Sequence, residues 1–354
     1  NIYQHGQVMG LSNEEIKAKE KEIIEFADIP AASTLLGLSA MPSDFRLNKG
    51  FIGMHGNIAP NKKTNECDLL IGIGMRFADR VTGNVKTYAK QAKIVHIDID
   101  ISEIGKNIKT DAKILGDAKE VLIALTKKIK ENNHSEWIDS FKTFEEEEYN
   151  KVIKKSLYPS GDALTMGEVV RKVSDATRKD AILVTDVGQN QMESARYFQY
   201  TKSRSIVTSG GLGTMGFGLP AAIGAKIGVP NRTVCIFAGD GGFQMSIQEL
   251  GTIMQSNIGV KMILLNNNYL GMVRQWQELF YQKRYSSTPM INPDFNAIAS
   301  AYKIANRKVT KREELDEAIS DMLNNDEAFF FDAWPIDGPH PCSCVDAGFS
   351  SSPR

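Results

Sequence analysis

Five short, uninterrupted apolar runs, at 68–74, 94–98, 182–186, 234–238 and 262–265, punctuate the chain and predict strands buried on both faces. The stretches 12–26, 117–131, 167–177, 246–257 and 312–323 carry apolar residues at helical spacing, and several open with a Ser, Asp or Thr able to cap a helix. Strands and helices in alternation predict an α/β fold built of doubly wound parallel sheets, with helices on both faces. No internal repeat interrupts the pattern. The polar residues that close each run then fall at the carboxyl edge of a sheet, where such folds bind ligands.

A change of texture divides the chain. From 126 to 160 it turns strongly charged, with four consecutive glutamates at 145–148 followed by Lys151, Lys154 and Lys155, which reads as a solvated linker with helical character. This linker separates a first domain, 1–125, from a second, 161–335. Residues 336–354, rich in Pro, Gly, Ser and Cys, form an irregular tail. A chain of 354 residues is long enough to bury two separate cores.

Composition narrows the partners. With 42 Lys and Arg against 43 Asp and Glu, the net charge is −1. That balance gives no electrostatic reason to expect nucleic acid or an anionic membrane. No apolar run approaches the roughly 20 residues needed to span a bilayer, and residues 1–20 lack the order of a signal peptide. Cys67, Cys235, Cys342 and Cys344 are too few and too unevenly placed for a disulfide framework, which favours a reducing, cytoplasmic setting. Cys67 and Cys235 adjoin apolar strands and read as core thiols. His340, Cys342 and Cys344 have no fourth ligand to complete a metal site. Small molecules are the expected partners.

The chemistry concentrates at two strand ends. The run 234–238 is followed at once by Gly239-Asp240-Gly241-Gly242 and then by helical spacing, an order that cradles phosphate: glycines admit phosphate oxygens to the backbone, and a helix start offers free N–H groups. Asp240 adds a hard carboxylate oxygen suited to Mg²⁺. The next run ends in Asn266-Asn267-Asn268, so Asn267, 27 residues after Asp240, brings an amide oxygen to the same sheet edge, where one ion can be reached from both. Between 208 and 224 there are six glycines in seventeen residues, which allow close approach to a flat ligand. In the first domain, Gly53-Met54-His55-Gly56, Gly72-Ile73-Gly74 with Arg76, Arg80 and Val81, Asp98-Ile99 and Gly116-Asp117 follow strand ends in a dinucleotide-binding order.

Gly239-Asp240-Gly241 followed by Asn266-Asn267 resembles the cofactor motif of thiamin-diphosphate enzymes. The run from Gly271 through Met272, Val273 and Trp276 to Tyr285 is similar to the catalytic subunit of the acetolactate (acetohydroxyacid) synthase family, and the resemblance covers roughly residues 10–330. It implies thiamin diphosphate, Mg²⁺ and a largely structural FAD as cofactors, with the metal held by Asp240, the Asn267 side chain and the Tyr269 main-chain carbonyl. It implies further that Met215, flanked by Gly213, wedges under the cofactor and bends it. The turn Val187, Gly188, Gln189, Asn190 and Gln191, together with Gly239 to Gly242 and Met245, would line the same cofactor, with Asn190 standing where the family carries His. In the first domain Met54, His55, Gly56, Gly74, Arg76, Arg80, Val81, Asp98, Ile99 and Asp117 match FAD contacts, while Ala78 replaces an Asp of the family pattern.

The activity so implied is decarboxylation of pyruvate and carboligation to a second 2-oxo acid, pyruvate or 2-oxobutyrate, in branched-chain amino-acid biosynthesis. Met272, Val273 and Trp276 would shape the acceptor pocket, with Arg274 beside them. The family pattern also implies a homodimer or homotetramer, a regulatory small subunit, and a preceding domain whose Glu protonates the cofactor's pyrimidine ring. No residue here matches that Glu, so a cofactor-binding chain without turnover and a related carboligase are the alternative expectations.

Overall fold

Every ladder between strands is parallel in the computed structural model, which describes residues 24–25 and 27–334. The chain forms two units that divide between Lys151 and Val152, within the charged stretch 126–160. In the first unit β1 (Ala31–Ser33) pairs with β2 (Asn48–Phe51), and α1 (Ile58–Thr64) follows. A second sheet holds β3 (Leu69–Ile73), β4 (Lys93–Asp98) and β5 (Ala112–Leu115) in that order, with α2 (Asp79–Thr82) after β3. Helix α3 (Ala118–Thr126) starts at Asp117, whose carboxylate accepts from the Lys119 N–H at 2.9 Å. Phe77, Ala89, Ile94 and Ile108 make a core. His96 belongs to that core: Gly105 N–H donates to its Nδ1, its Nε2 donates to the Met75 carbonyl at 2.9 Å, and its ring meets Phe77 edge-on.

The charged stretch is more structural than a solvated linker. It holds helices α4 (Ser135–Asp139) and α5 (Lys142–Glu148), and α5, which ends in Glu148, packs on α1. Glu148 is buried and accepts from the Ile58 N–H at 2.8 Å and the Asn57 side-chain amide at 2.7 Å. It thereby serves donors that the first turn of α1 would otherwise leave open. Lys63, also buried, pairs with Glu66 at 2.7 Å and lies over the Trp137 ring at 4.6 Å, which fastens α1 to α4.

In the second unit a short helix at Lys154–Leu157 precedes α6 (Met166–Ala176), which is capped by the Thr165 hydroxyl. Next come β6 (Ile182–Thr185), α7 (Gln189–Tyr197), β7 (Ile206–Val207), α8 (Gly218–Gly228), β8 (Val234–Gly239), α9 (Asp240–Met245) and α10 (Leu250–Ser256). The chain closes with β9 (Lys261–Leu265), α11 (Gly271–Phe280), α12 (Phe295–Ala301), β10 (Ala305–Val309), α13 (Leu315–Asn324) and β11 (Phe329–Ala333). The six strands stand in the order β10-β11-β9-β8-β6-β7. From β6 the chain crosses to β7 on one side and later to β8 on the other, so the crossovers reverse between β6 and β8. Doubly wound sheets bind ligands at such a reversal. Strands β8 and β9 are buried almost throughout and anchor the core with Leu219, Phe243, Leu250 and Phe330.

Several expectations are corrected. The helix expected at 246–257 begins earlier, at Asp240, and bends through a tight turn at Ile247–Glu249 before α10. Gly241 and Gly242 therefore belong to a helix and not to a loop before it. Strands β1, β2, β5, β7, β10 and β11 were not legible, because most are short or mix polar with apolar positions. The tail 336–354, nearly all of the helix expected at 12–26, and His340, Cys342 and Cys344 lie outside the described residues. No helix among the described residues is long and apolar enough to cross a membrane. Cys67 and Cys235 are free thiols; Cys235 is a core position as expected, whereas Cys67 is only partly buried. Burial pushes them up to about 11 and about 12, which leaves both unreactive at neutral pH.

Replacing Glu148 by Ala strands the buried N–H of Ile58, so the first unit should lose about 1–3 kcal/mol of stability. Denaturant unfolding followed by Trp137 fluorescence measures it, and Glu148→Gln, which keeps an acceptor, should lose less.

Candidate functional site

The carboxyl ends of β6, β8 and β9 come together because their registers match: Thr185 lies opposite Phe237, and Gly239 opposite Leu265. Asp186 thus follows β6, Asp240 follows β8 and Asn266 follows β9 along one edge. Asp186 and Asp240 are buried. Asp186 Oδ1 accepts from the N–H groups of Val187 at 2.7 Å and Gly216 at 3.2 Å, and Oδ2 from that of Gly218 at 2.9 Å. This carboxylate ties the glycine-rich segment to the end of β6. A side chain on Gly242 would run into the same carboxylate, since its Cβ would sit 2.1 Å from Asp186 Oδ1. Gly242 is needed for that close approach.

Around Gly241 the space is filled by Leu270, Met290 and Met215, whose Sδ and Cε atoms lie 3.2 and 3.5 Å from where a Cβ would stand for the latter two. Met215 therefore sits over the first turn of α9, carried there by Gly213 and Gly216, both at positive φ. Gly216 in turn backs onto Met245, which is largely exposed. On the other flank, Gly188 takes φ 137° and starts α7, and Gln191 donates to the Thr208 hydroxyl at 2.7 Å. Asn190 is buried beside Gly188 and Gly239, and its side-chain oxygen has no hydrogen-bond partner. A buried polar atom left open beside two glycines fits a bound group with a donor or a bridging water.

One carboxylate and several amide oxygens make up the edge between β8 and β9. Asn292 donates from one side-chain amide toward Asp240 Oδ2 at 2.7 Å, Asn268 Oδ1 at 3.0 Å and Asn266 Oδ1 at 3.1 Å. Asn267, between the last two, accepts from the Tyr269 N–H at 3.1 Å and donates to Gln189 at 3.4 Å. Among the described residues no three His, Cys, Asp or Glu side chains gather as a metal set. The donors at this edge are instead the hard oxygens of a carboxylate, amides and main-chain carbonyls, which suit Mg²⁺ or Ca²⁺ and not a softer metal. Burial pushes the Asp240 carboxyl above its ordinary value, opposed by the Asn292 amide and the Gly241 N–H. A cation there would restore the charged form.

Helix α11 leaves this edge directly after Tyr269 and Leu270. Met272, Val273 and Trp276 line a cleft of about 570 Å³ with Gln277, Tyr281 and Arg284. Arg274, expected beside them, does not line it: its guanidinium stacks between the rings of Tyr269 at 4.2 Å and Tyr285 at 4.5 Å.

In the first unit, Gly74, Asp98 and Asp117 share one edge, since Gly74 N–H donates to the Ile97 carbonyl and Gly116 N–H to that of Asp98. Gly74 has φ 59° and open space above its Cα. Met54 N–H donates to the Arg80 carbonyl at 2.7 Å, which sets the 53–56 turn against Arg80 and Val81. Gly56 backs onto Phe51 and Ile52, and Arg76 accepts from the Asn107 amide at 2.8 Å. Ile99 is half exposed, and the Arg80 side chain pairs with Asp79 at 3.1 Å. His55 lies in the same turn. Ala78 is the residue before α2 and gives that helix no side-chain cap.

Asn292, Asp332 and the Asp186 carboxylate were missed as site residues. Asp186 directly precedes the turn 187–191 read from the sequence. Asn292 and Asp332 carry no local signal, because only the fold returns them to the edge, 52 and 92 positions after Asp240. Asp332, at the end of β11, accepts from the Asn266 amide at 3.4 Å. Burial pushes its carboxyl up to about 6.

Similarity to known proteins agrees with this geometry. Residues 186–333 match the C-terminal TPP binding domain of thiamine pyrophosphate enzymes, and residues 9–125 match their central domain. The chain is 39% identical over 328 residues to the acetolactate synthase isozyme 2 large subunit of Escherichia coli, covering 90% of this chain and 58% of that protein. It is 40% identical over 334 residues to the acetolactate synthase large subunit of Lactococcus lactis, covering 94% and 57%. Against chloroplastic acetolactate synthase 1 of Nicotiana tabacum the figures are 40% over 338 residues, 93% and 50%. The chain thus spans between half and three-fifths of the length of these relatives.

Two substitutions test the site. Because Asp332 titrates near pH 6 when folded and near 3.8 when unfolded, its stabilising share is present below 3.8 and lost as pH rises through 6. Asp332→Asn should therefore become the more stable protein above pH 6, by up to about 3 kcal/mol, and lose that advantage by pH 4. Thermal unfolding across pH 4–8 measures it. Gly242→Ala should cost about 1–3 kcal/mol or more, since the carboxylate it meets is fixed by three N–H groups; chemical denaturation measures the loss.

Proposed function

The chain belongs to the thiamine pyrophosphate enzymes, and on that premise we propose that it serves acetolactate synthesis, the decarboxylation of pyruvate and its joining to a second 2-oxo acid. One observation carries this reading. The oxygen-lined edge at Asn266–Asn268 runs straight into α11, whose Met272, Val273 and Trp276 line a cleft. Cofactor edge and acceptor cleft are thus joined through Tyr269 and Leu270. The likeness to acetolactate synthase large subunits over nine-tenths of the chain supports the same choice.

In this reading thiamin diphosphate supplies the carbon nucleophile that no side chain here offers. Asp240, Asn267 and the Tyr269 carbonyl hold Mg²⁺. Val187, Gly188, Gln189, Asn190, Gln191 and the α9 start at Gly239, Asp240, Gly241 and Gly242 receive the diphosphate. Met215, over the first turn of α9, would support the cofactor, with Gly213 and Met245 beside it. Trp276, Met272 and Val273 limit the acceptor and exclude water from the cleft. Met54, His55, Gly56, Gly74, Arg76, Arg80, Val81, Asp98, Ile99 and Asp117 hold FAD in a structural role, supported by the open space over Gly74 and the shared edge of Asp98 and Asp117. A homodimer or homotetramer, a regulatory small subunit and a cytoplasmic setting complete the proposal. The contact to the pyrimidine ring is assigned to none of these 354 residues.

Product analysis tests it. With thiamin diphosphate, Mg²⁺ and the pyrimidine-side domain present, pyruvate should yield acetolactate. Trp276→Leu should reduce the preference for 2-oxobutyrate over pyruvate about tenfold. An unchanged preference removes Trp276 from the acceptor site, and product from glyoxylate or sulfoacetaldehyde in place of pyruvate identifies a different carboligase.

A further inference from the structure

We infer that Asn292, backed by Asn266 and Asp332, is a positioning residue that prebuilds the cation site at Asp240. The inference rests on the cofactor reading above and goes beyond its ligand set. Asn292 reaches the edge through a short return of the chain. Leu270 N–H donates to the Thr288 carbonyl at 2.9 Å and Met290 N–H to the Asn268 carbonyl at 2.8 Å, which zips 288–290 onto 268–270. The turn after Met290 then places the Asn292 amide among three oxygens, those of Asp240, Asn266 and Asn268, at 2.7–3.1 Å.

Both ends of Asn292 are fixed. Gln244, on α9, donates to its carbonyl oxygen at 2.9 Å, which turns the amide nitrogen toward the three acceptors. The Asn266 amide donates to Asp332, which turns the Asn266 oxygen toward Asn292. The sequence of contacts runs from β11 through β9 to the first residue of α9. Two N–H groups cannot fully serve three oxygens, so the cluster stays short of positive charge while its geometry is held. Partners of this kind orient a metal's direct ligands, and removing one typically weakens metal affinity 10–100-fold. Asn292 touches no reacting atom; it acts through Asp240.

The test is a calorimetric Mg²⁺ titration of the full chain with saturating thiamin diphosphate, comparing wild type with Asn292→Ala and Asn292→Ser. We expect Mg²⁺ binding at least tenfold weaker for Ala and intermediate for Ser, which keeps one donor. At saturating Mg²⁺, thiamin-diphosphate affinity should return to the wild-type value in both, a recovery that a general packing defect would not show. Should Asn292→Ala fail to fold, Asn292→Ser alone carries the comparison. Mg²⁺ affinity unchanged within twofold overturns the inference, and tighter binding overturns it too, by showing that the amide competes with the ion. If wild type itself binds no Mg²⁺ with thiamin diphosphate, the cofactor reading fails first.

Discussion

Where β8 ends at Gly239 it lies opposite Leu265 of β9, and where β6 ends at Thr185 it lies opposite Phe237 of β8. Parallel strands in this register must deliver their next residues to one edge. Asp186, Asp240 and Asn266 are therefore neighbours, although up to 80 positions separate them in the chain. A slip of one residue in β8 would turn Asp240 to the other face of the sheet and empty the edge of its carboxylate. The buried apolar residues of β8 and β9 hold that register, so the core and the site depend on the same pairing.

Two carboxylates divide the work at the edge. Asp186 spends its hydrogen-bonding capacity on the protein, gathering Val187, Gly216 and Gly218, and so fixes the segment that carries Met215. Asp240 accepts from the Gly241 N–H and one amide of Asn292, with the Asn268 backbone also favouring its charged form, while burial resists its ionisation. A cation beside it would offset that burial. The glycines follow from the same crowding: Gly242 clears Asp186, Gly241 clears Leu270 and Met290, and Gly271 clears Gln189.

Much of this was legible in the sequence. Runs without polar interruption named the strands β3, β4, β6, β8 and β9, and the residues that end them named Asp240 and Asn267. Trp276, Met272 and Val273 were expected together and line one cleft. What stayed hidden had a common cause. Asn292 and Asp332 reach the edge from a loop and from β11, an inner strand paired with β10 and β9, both far along the chain from Asp240. Glu148 looked solvated within a run of four glutamates, because a one-dimensional charge run does not say which member faces α1. The early start of α9 was hidden by its glycines, which ordinarily argue against helix but are required here by close packing.

The proposed site for Mg²⁺ and the diphosphate of thiamin lies in the second unit, at the β6–β8 reversal. Hydrogen–deuterium exchange of the full chain, with and without Mg²⁺ and thiamin diphosphate, tests it most directly. Slowed exchange at 186–191, 213–218, 239–245 and 266–271 is expected only when both are present. Protection confined to the first unit, or equal protection without Mg²⁺, would contradict it.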